Sequence, residues 1–189
     1  MLGAAMARQT DSQLMTYDEY CLLPDDGKQY QVIEGELIVS PAPRTTHQRI
    51  IVQLMALLHA HVEAHNLGVV YVAPTDVVLD PITVVQPDIL FIRRENLGII
   101  TELNIQGPPD LCIEVLSQGT ERVDRERKKV VYARYGVREY WIIDPVRQTV
   151  SIYAREGDVF ALRVEATGND AVSSGVLTGF QVIARSIFA

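Results

Sequence analysis

Glu114 stands inside "DLCIEVLS", a stretch with the alternation of a buried strand. Leu111, Ile113 and Val115 face one way; Cys112 and Leu116 face the other, and Glu114 shares their side. Both sides are apolar, as in a central strand covered on both faces. An unpaired ionised carboxylate there is costly, so something must offset it. Two other residues have the chemistry to do so. Asp88 heads the apolar strand "QPDILFI", directly after Pro87, whose missing donor favours a strand start or edge. Lys128 lies in the helical stretch "GTERVDRERKKVVYARYGV", with Asp124 and Tyr132 one turn to either side on the same face. Lys129 points elsewhere. Two carboxylates from adjacent strands suit one hard cation, Mg²⁺ or Mn²⁺, held through oxygen. Such an ion compensates Glu114, polarises a phosphoryl oxygen and acidifies a bound water. A lysine beside it orients or deprotonates that water, or stabilises charge in the transition state.

Each residue also has a structural reading. Asp88 serves as a strand-end cap, Glu114 pairs with an arginine, and Lys128 is a solvated lysine held by Asp124. Ser117 ends the strand and reads as a turn cap. His61 and His65 have i, i+4 spacing that suits a metal, but no third ligand accompanies them, so they read as helix surface. Trp141, between Tyr140 and Ile142 in "REYWIID", reads as packing.

The elements that carry these residues follow from the pattern. Thr16, Asp18 and Glu19 open a short helix stopped near Pro24. "KQYQVIEGELIVS" predicts a hairpin around Gly35, with Glu34 and Glu36 on one face if the strand is continuous. "PAPRTTHQRIIVQLMALLHAHVEAHNLG" predicts the longest helix. Ile50, Leu54, Leu57, Leu58 and His61 lie on one side of it, and Gly68 is its stop. "VVYVAPTDVVLD" and "VVQPDILFIRR" read as strands, and "ENLGII" as a connection with one helical turn. Thr120 caps the next helix and Gly136 ends it. "REYWIID", "TVSIYAREGDVFALRVEA" and "FQVIARSIFA" add strands, with a hairpin at Glu156-Gly157-Asp158. The order predicts an α/β fold with a mixed sheet flanked by helices, an N-terminal hairpin and extra C-terminal strands.

The chain has 189 residues, 48% hydrophobic and 22% charged, which predicts one domain over residues 16–189 after a flexible segment, 1–15. The net charge of −7 disfavours strong non-specific nucleic-acid binding but leaves room for a local basic surface. The helix with Arg122, Arg125, Arg127, Lys128 and Lys129 is the candidate for it. Cys21 and Cys112 make neither a disulfide framework nor a zinc motif. No apolar run is long enough to span a membrane, and "MLGAAMARQTDSQLM" lacks the plan of a signal peptide; a cytoplasmic protein is the expectation.

"QPDILFI" followed by "DLCIEVLSQGTERVDRERKKVVYARYGVREYWIID" resembles the Uma2 family, a group expanded in cyanobacteria. That family falls within the PD-(D/E)xK nuclease superfamily. "YQVIEGELIVSPAPRTTHQRI" matches the family's N-terminal signature. The resemblance implies a restriction-endonuclease-like fold and a Mg²⁺-dependent endonuclease acting on DNA. Asp88 and Glu114 match its metal ligands. The usual lysine place, two residues past the acid, holds Leu116; Lys128 matches the helix-borne lysine of members in which it has moved. Glu34 matches an acid that often completes the site, and His47-Gln48 matches a recurrent pair. Nucleases of this fold often act as pairs, so a homodimer is expected, with the apolar tail "FQVIARSIFA" as surface to bury. The competing expectations are a catalytically inert nuclease-fold module for binding or assembly, and a hydrolase of another phosphorylated substrate.

Overall fold

The computed structural model describes residues 14–189. The expected flexible segment, 1–15, lies outside them except for Leu14 and Met15. Met15 N–H donates to Gly35 O at 2.9 Å. Thr16 then starts α1 (Tyr17–Tyr20) with a reciprocal cap: its side chain accepts from Glu19 N–H, and the Glu19 carboxylate accepts from Thr16 N–H. β1 (Gln29–Ile33) and β2 (Glu36–Ser40) form the hairpin. Its two-residue turn, Glu34-Gly35, has φ of 53° and 81°, the mirror-image turn that fits strand twist. α2 (Thr45–His65) buries Ile50, Ile51, Leu54, Leu58 and Val62. It stops at Asn66, in the left-handed region, rather than at Gly68. Gly68 instead opens β3 (Gly68–Val72), where an added Cβ would lie 2.0 Å from Ile92 O. Only glycine lets the strands approach there.

β4 (Val77–Asp80), β5 (Thr83–Val85) and β6 (Ile89–Arg93) follow. Two runs that read as single strands therefore divide, at Pro74 and Pro87, because proline cannot continue a ladder. Each half joins a different sheet. A 3₁₀ turn (Arg94–Ile99) leads to β7 (Ile105–Gln106) and β8 (Leu111–Val115). A π-helical stretch (Val123–Lys128) runs into α3 (Lys129–Tyr135), ended by Gly136 at φ 103°. β9 (Glu139–Asp144), β10 (Thr149–Glu156), β11 (Val159–Thr167), β12 (Ala171–Ser173), β13 (Gln181–Ile183) and α4 (Ala184–Ile187) complete the chain.

Among the described residues the central sheet has order β11-β10-β9-β8-β6-β3, mixed because β8 and β9 run parallel. A second sheet has order β2-β1-β5-β4-β7. One face of the central sheet packs Ile89, Phe91, Leu111, Ile113, Val115, Trp141 and Ile143 against α2 and the C-terminal segment. The other packs Leu90, Ile92, Cys112, Leu116, Tyr140 and Ile142 against α3 and the second sheet. The tail differs from the expected edge strand. β13 pairs with β12, and Phe180, Ala184 and Ile187 are buried in the chain's own core, while Ile183 stays exposed. No described helix is long and apolar enough to cross a membrane.

Candidate active site

β6 and β8 are antiparallel neighbours with Ile89 opposite Ile113. Asp88 comes just before Ile89 and Glu114 just after Ile113, so the two acids lie at the same end of the pair; Glu114 is on the side of the sheet that faces α3, and the Asp88 carboxylate meets α2. Pro87 ends the ladder, so the Val115 N–H has no strand partner and donates to Asp88 Oδ2 at 2.7 Å. His47, in the first turn of α2, puts Nε2 3.2 Å from the same oxygen. Asp88 does cap a strand end, yet no described donor reaches its Oδ1.

Glu114 is 2% exposed. Lys128 Nζ donates to its Oε1 at 2.9 Å, and the Tyr132 hydroxyl donates to the same oxygen at 2.8 Å. No described donor reaches Oε2. Lys128 also lies 3.3 Å from Asp124 Oδ1, and Asp124 is itself buried. The Tyr140 hydroxyl, from β9, donates to the Asp124 carbonyl at 2.9 Å and ties the π-helical stretch to the sheet. Lys129 turns outwards, with Nζ 3.9 Å above the Tyr153 ring.

Glu114 and Asp124 thus share one lysine, while Asp88 is held by one histidine. The imbalance shows in the titrations. Burial raises the Glu114 pKa to about 8; Lys128 opposes the shift, and Asp124 and Asp88 add to it. Burial likewise raises Asp124. Burial lowers Lys128, but Glu114, Asp124 and Asp88 outweigh it and hold the ammonium firmly protonated. Burial also lowers His47, and the hydrogen bond and charge of Asp88 reverse the sign, leaving it raised. The oxygens left over, Asp88 Oδ1 and Glu114 Oε2, are hard donors. No group of three His, Cys, Asp or Glu side chains that could hold a metal ion exists among the described residues. Two carboxylate oxygens are donors of the kind that Mg²⁺ takes together with water and phosphate oxygens. A groove of about 380 Å³ leads to Asp88 and His47 from the α2 side.

Other candidates lie elsewhere. Glu34 sits in the hairpin turn, half exposed, and its carboxylate is held by Arg134; it contacts none of Asp88, Glu114 or Lys128. The turn breaks the strand, so Glu36 does not share its face and pairs instead with Arg127 at 2.9 Å. The basic helix is largely neutralised. Arg122 pairs with Glu126 at 3.1 Å, and Arg125 with Glu121 and Asp144 at 2.9 Å each. His61 donates to the Thr178 carbonyl and His65 to the His61 carbonyl, so the pair is helix surface. Ser117 pairs its hydroxyl with Thr120. Trp141 is fully buried, its indole N–H donating to Glu139 at 2.7 Å. The buried Asp124 had a sequence signal, its i, i+4 spacing to Lys128, but that spacing equally describes a solvated pair.

Among curated proteins, none matches this chain. A solved structure titled a "putative nuclease belonging to DUF820", from Anabaena variabilis, is similar over 92% of this chain and 97% of its own. Its TM-score is 0.78 at 19% sequence identity, a likeness of fold. The sequence model of a family described as "putative restriction endonuclease" matches residues 17–186, nearly the whole chain, and the protein belongs to that family, Uma2.

Proposed function

We propose that this protein is a metal-dependent endonuclease that hydrolyses phosphodiester bonds in DNA. The observation that carries the reading is the pairing of Asp88 and Glu114. They lie next to the last paired residues of adjacent strands β6 and β8, each has one oxygen that accepts hydrogen bonds and one with no described donor, and Glu114 and Asp124 share a single lysine. Asp88 Oδ1 and Glu114 Oε2 are the atoms that would hold Mg²⁺ or Mn²⁺. When bound, such an ion supplies Lewis-acid polarisation of a phosphoryl oxygen and an acidified water. Asp88 is oriented by Val115 N–H and His47, and Glu114 by Lys128 and Tyr132. Lys128 is protonated and buried, which favours a fixed positive charge over a general base. Glu34 has no part in this arrangement. A homodimer on duplex DNA, one site for each strand, is the assembly the reading expects, and light scattering of the complex reads it.

The test is a Mg²⁺ titration by calorimetry alongside cleavage of a mixed nucleic-acid pool. The wild type is expected to bind the ion and cut, and Glu114→Gln to do neither. Wild type that takes up no Mg²⁺ or Mn²⁺ would leave the inert-module reading standing.

A further inference from the structure

The first turns of α2 carry two exposed arginines without an acid partner, whereas every arginine of the helix beside Glu114 is paired. Every arginine from Arg122 to Arg138 has a carboxylate partner: Glu126, Glu121 and Asp144, Glu36, Glu34 and Asp110 in turn. A phosphate that docks there must first displace an acid. Arg44 and Arg49 have no carboxylate partner among the described residues, and both are exposed. They bracket His47, the residue that touches Asp88.

Their position relative to the site is fixed by contacts. Arg44 Nη2 donates to Gln118 Oε1 at 3.0 Å, so its guanidinium reaches the loop that leaves β8 just beyond Glu114. That bond is to a neutral amide and leaves the charge uncompensated. Arg49 lines a groove with Thr45. This groove adjoins the one that ends on Asp88, because Pro43, Gln48 and Val52 line both. A third groove, on the other side of Arg49, is walled by Thr46, Gln148 and Phe188. Asp88 is the single acidic side chain in the walls of all three, and Ala189, the last residue, also lines the Arg49 groove without pairing with Arg49. In a chain of net charge −7, a continuous surface with two arginines that make no ion pair and no acidic side chain but the candidate metal ligand is a local inversion of sign.

We propose that Arg44 and Arg49 form the phosphate-docking surface of this protein, laying a nucleic-acid strand along the start of α2 so that its backbone passes Asp88. The ligand is the phosphodiester backbone itself, held by charge and therefore without regard to base sequence. The assignment rests on the nuclease reading of the site but is tested separately from it.

The experiment measures binding of a short fluorescent DNA duplex in chelator, without divalent ion, across a salt series. Each phosphate contact contributes about 0.9 to the slope of log K against log salt. Arg44→Gln with Arg49→Gln is expected to weaken binding and to flatten the slope by about 2. The charge-matched control, Arg122→Gln with Arg163→Gln, removes two exposed arginines already paired with Glu126 and Glu156 and is expected to leave the slope unchanged. Mg²⁺ uptake by calorimetry is expected to be the same in both double variants and the wild type. Equal slopes for the two double variants overturn the docking surface, even if the protein cuts DNA. Wild type that binds no duplex at low salt overturns it as well. Loss of Mg²⁺ uptake in the Arg44/Arg49 variant would make these residues supports of the site, and that too overturns the proposal.

Discussion

At the scale of single residues, Glu114 answers to two demands, burial and charge. Its pKa is raised from 4.5 to about 8 in the metal-free protein, so between those values the folded chain holds a proton that the unfolded chain has released. Stability then falls as pH rises through this window, because the native state binds more protons. His47 acts in the same direction: its raised pKa gives stability present below its unfolded value and lost as pH climbs through the folded one. Thermal melts in chelator are expected to show Tm declining from weakly acid to weakly alkaline pH. Saturating Mg²⁺ is expected to flatten the decline, since a bound cation favours the ionised carboxylate. Glu114→Gln should reduce the slope, with His47 and Asp124, both raised, supplying what remains. It should also cost little in stability, because Lys128 keeps Asp124 as a partner at 3.3 Å. A loss of roughly 3–5 kcal/mol in that variant would mark Glu114 as one half of a structural ion pair instead.

At the scale of elements, the helix after β8 decides which lysine matters. Lys128 and Lys129 are chain neighbours with opposite surroundings, one 2% exposed between two carboxylates, the other over the Tyr153 ring at the surface. Lys128→Met leaves Glu114 and Asp124 buried without their cation and is expected to cost about 3–5 kcal/mol in urea melts at alkaline pH. Lys129→Met forfeits an exposed cation–π contact and is expected to cost about 1 kcal/mol or less. Equal losses would mean that the helix is rotated from the arrangement described. The inward turn of Lys128 was legible from i, i+4 spacing, and so was the apolar alternation that buries Glu114. Partners were less legible. "VVYVAPTDVVLD" and "VVQPDILFIRR" each announce extended backbone, but nothing local says that the halves pair in different sheets. Glu34 shows the same limit: its neighbours in sequence suggest a site, while a left-handed turn swings it to Arg134. The role of His47 was hidden because its partner, Asp88, is 41 residues away in sequence. Asp124 was visible as a lysine partner, but burial of both required the sheet to cover them.

At the scale of the whole molecule, the C-terminal segment decides whether apolar surface is left for a second copy. Read as a strand, "FQVIARSIFA" exposes a hydrophobic edge. In the fold, Phe180 and Ile187 are 3% and 0% exposed in the core under α2, and the Phe180 ring lies 5.4 Å from that of His61 and 6.1 Å from that of Trp141. Glu139 anchors the start of the segment by accepting from Ser174 Oγ at 2.6 Å and Gly175 N–H at 2.7 Å. The segment therefore acts as the lid of one core, and Phe180, Ala184 and Ile187 are not available to a second copy. Phe180→Ala tests this directly. Removing a buried ring beside Trp141 leaves a cavity and is expected to cost about 3–5 kcal/mol. The molar mass by light scattering should not change, because no contact between chains is lost. The opposite pattern, a stable variant with a smaller mass, would place Phe180 at an interface and return the tail to the role its sequence suggests.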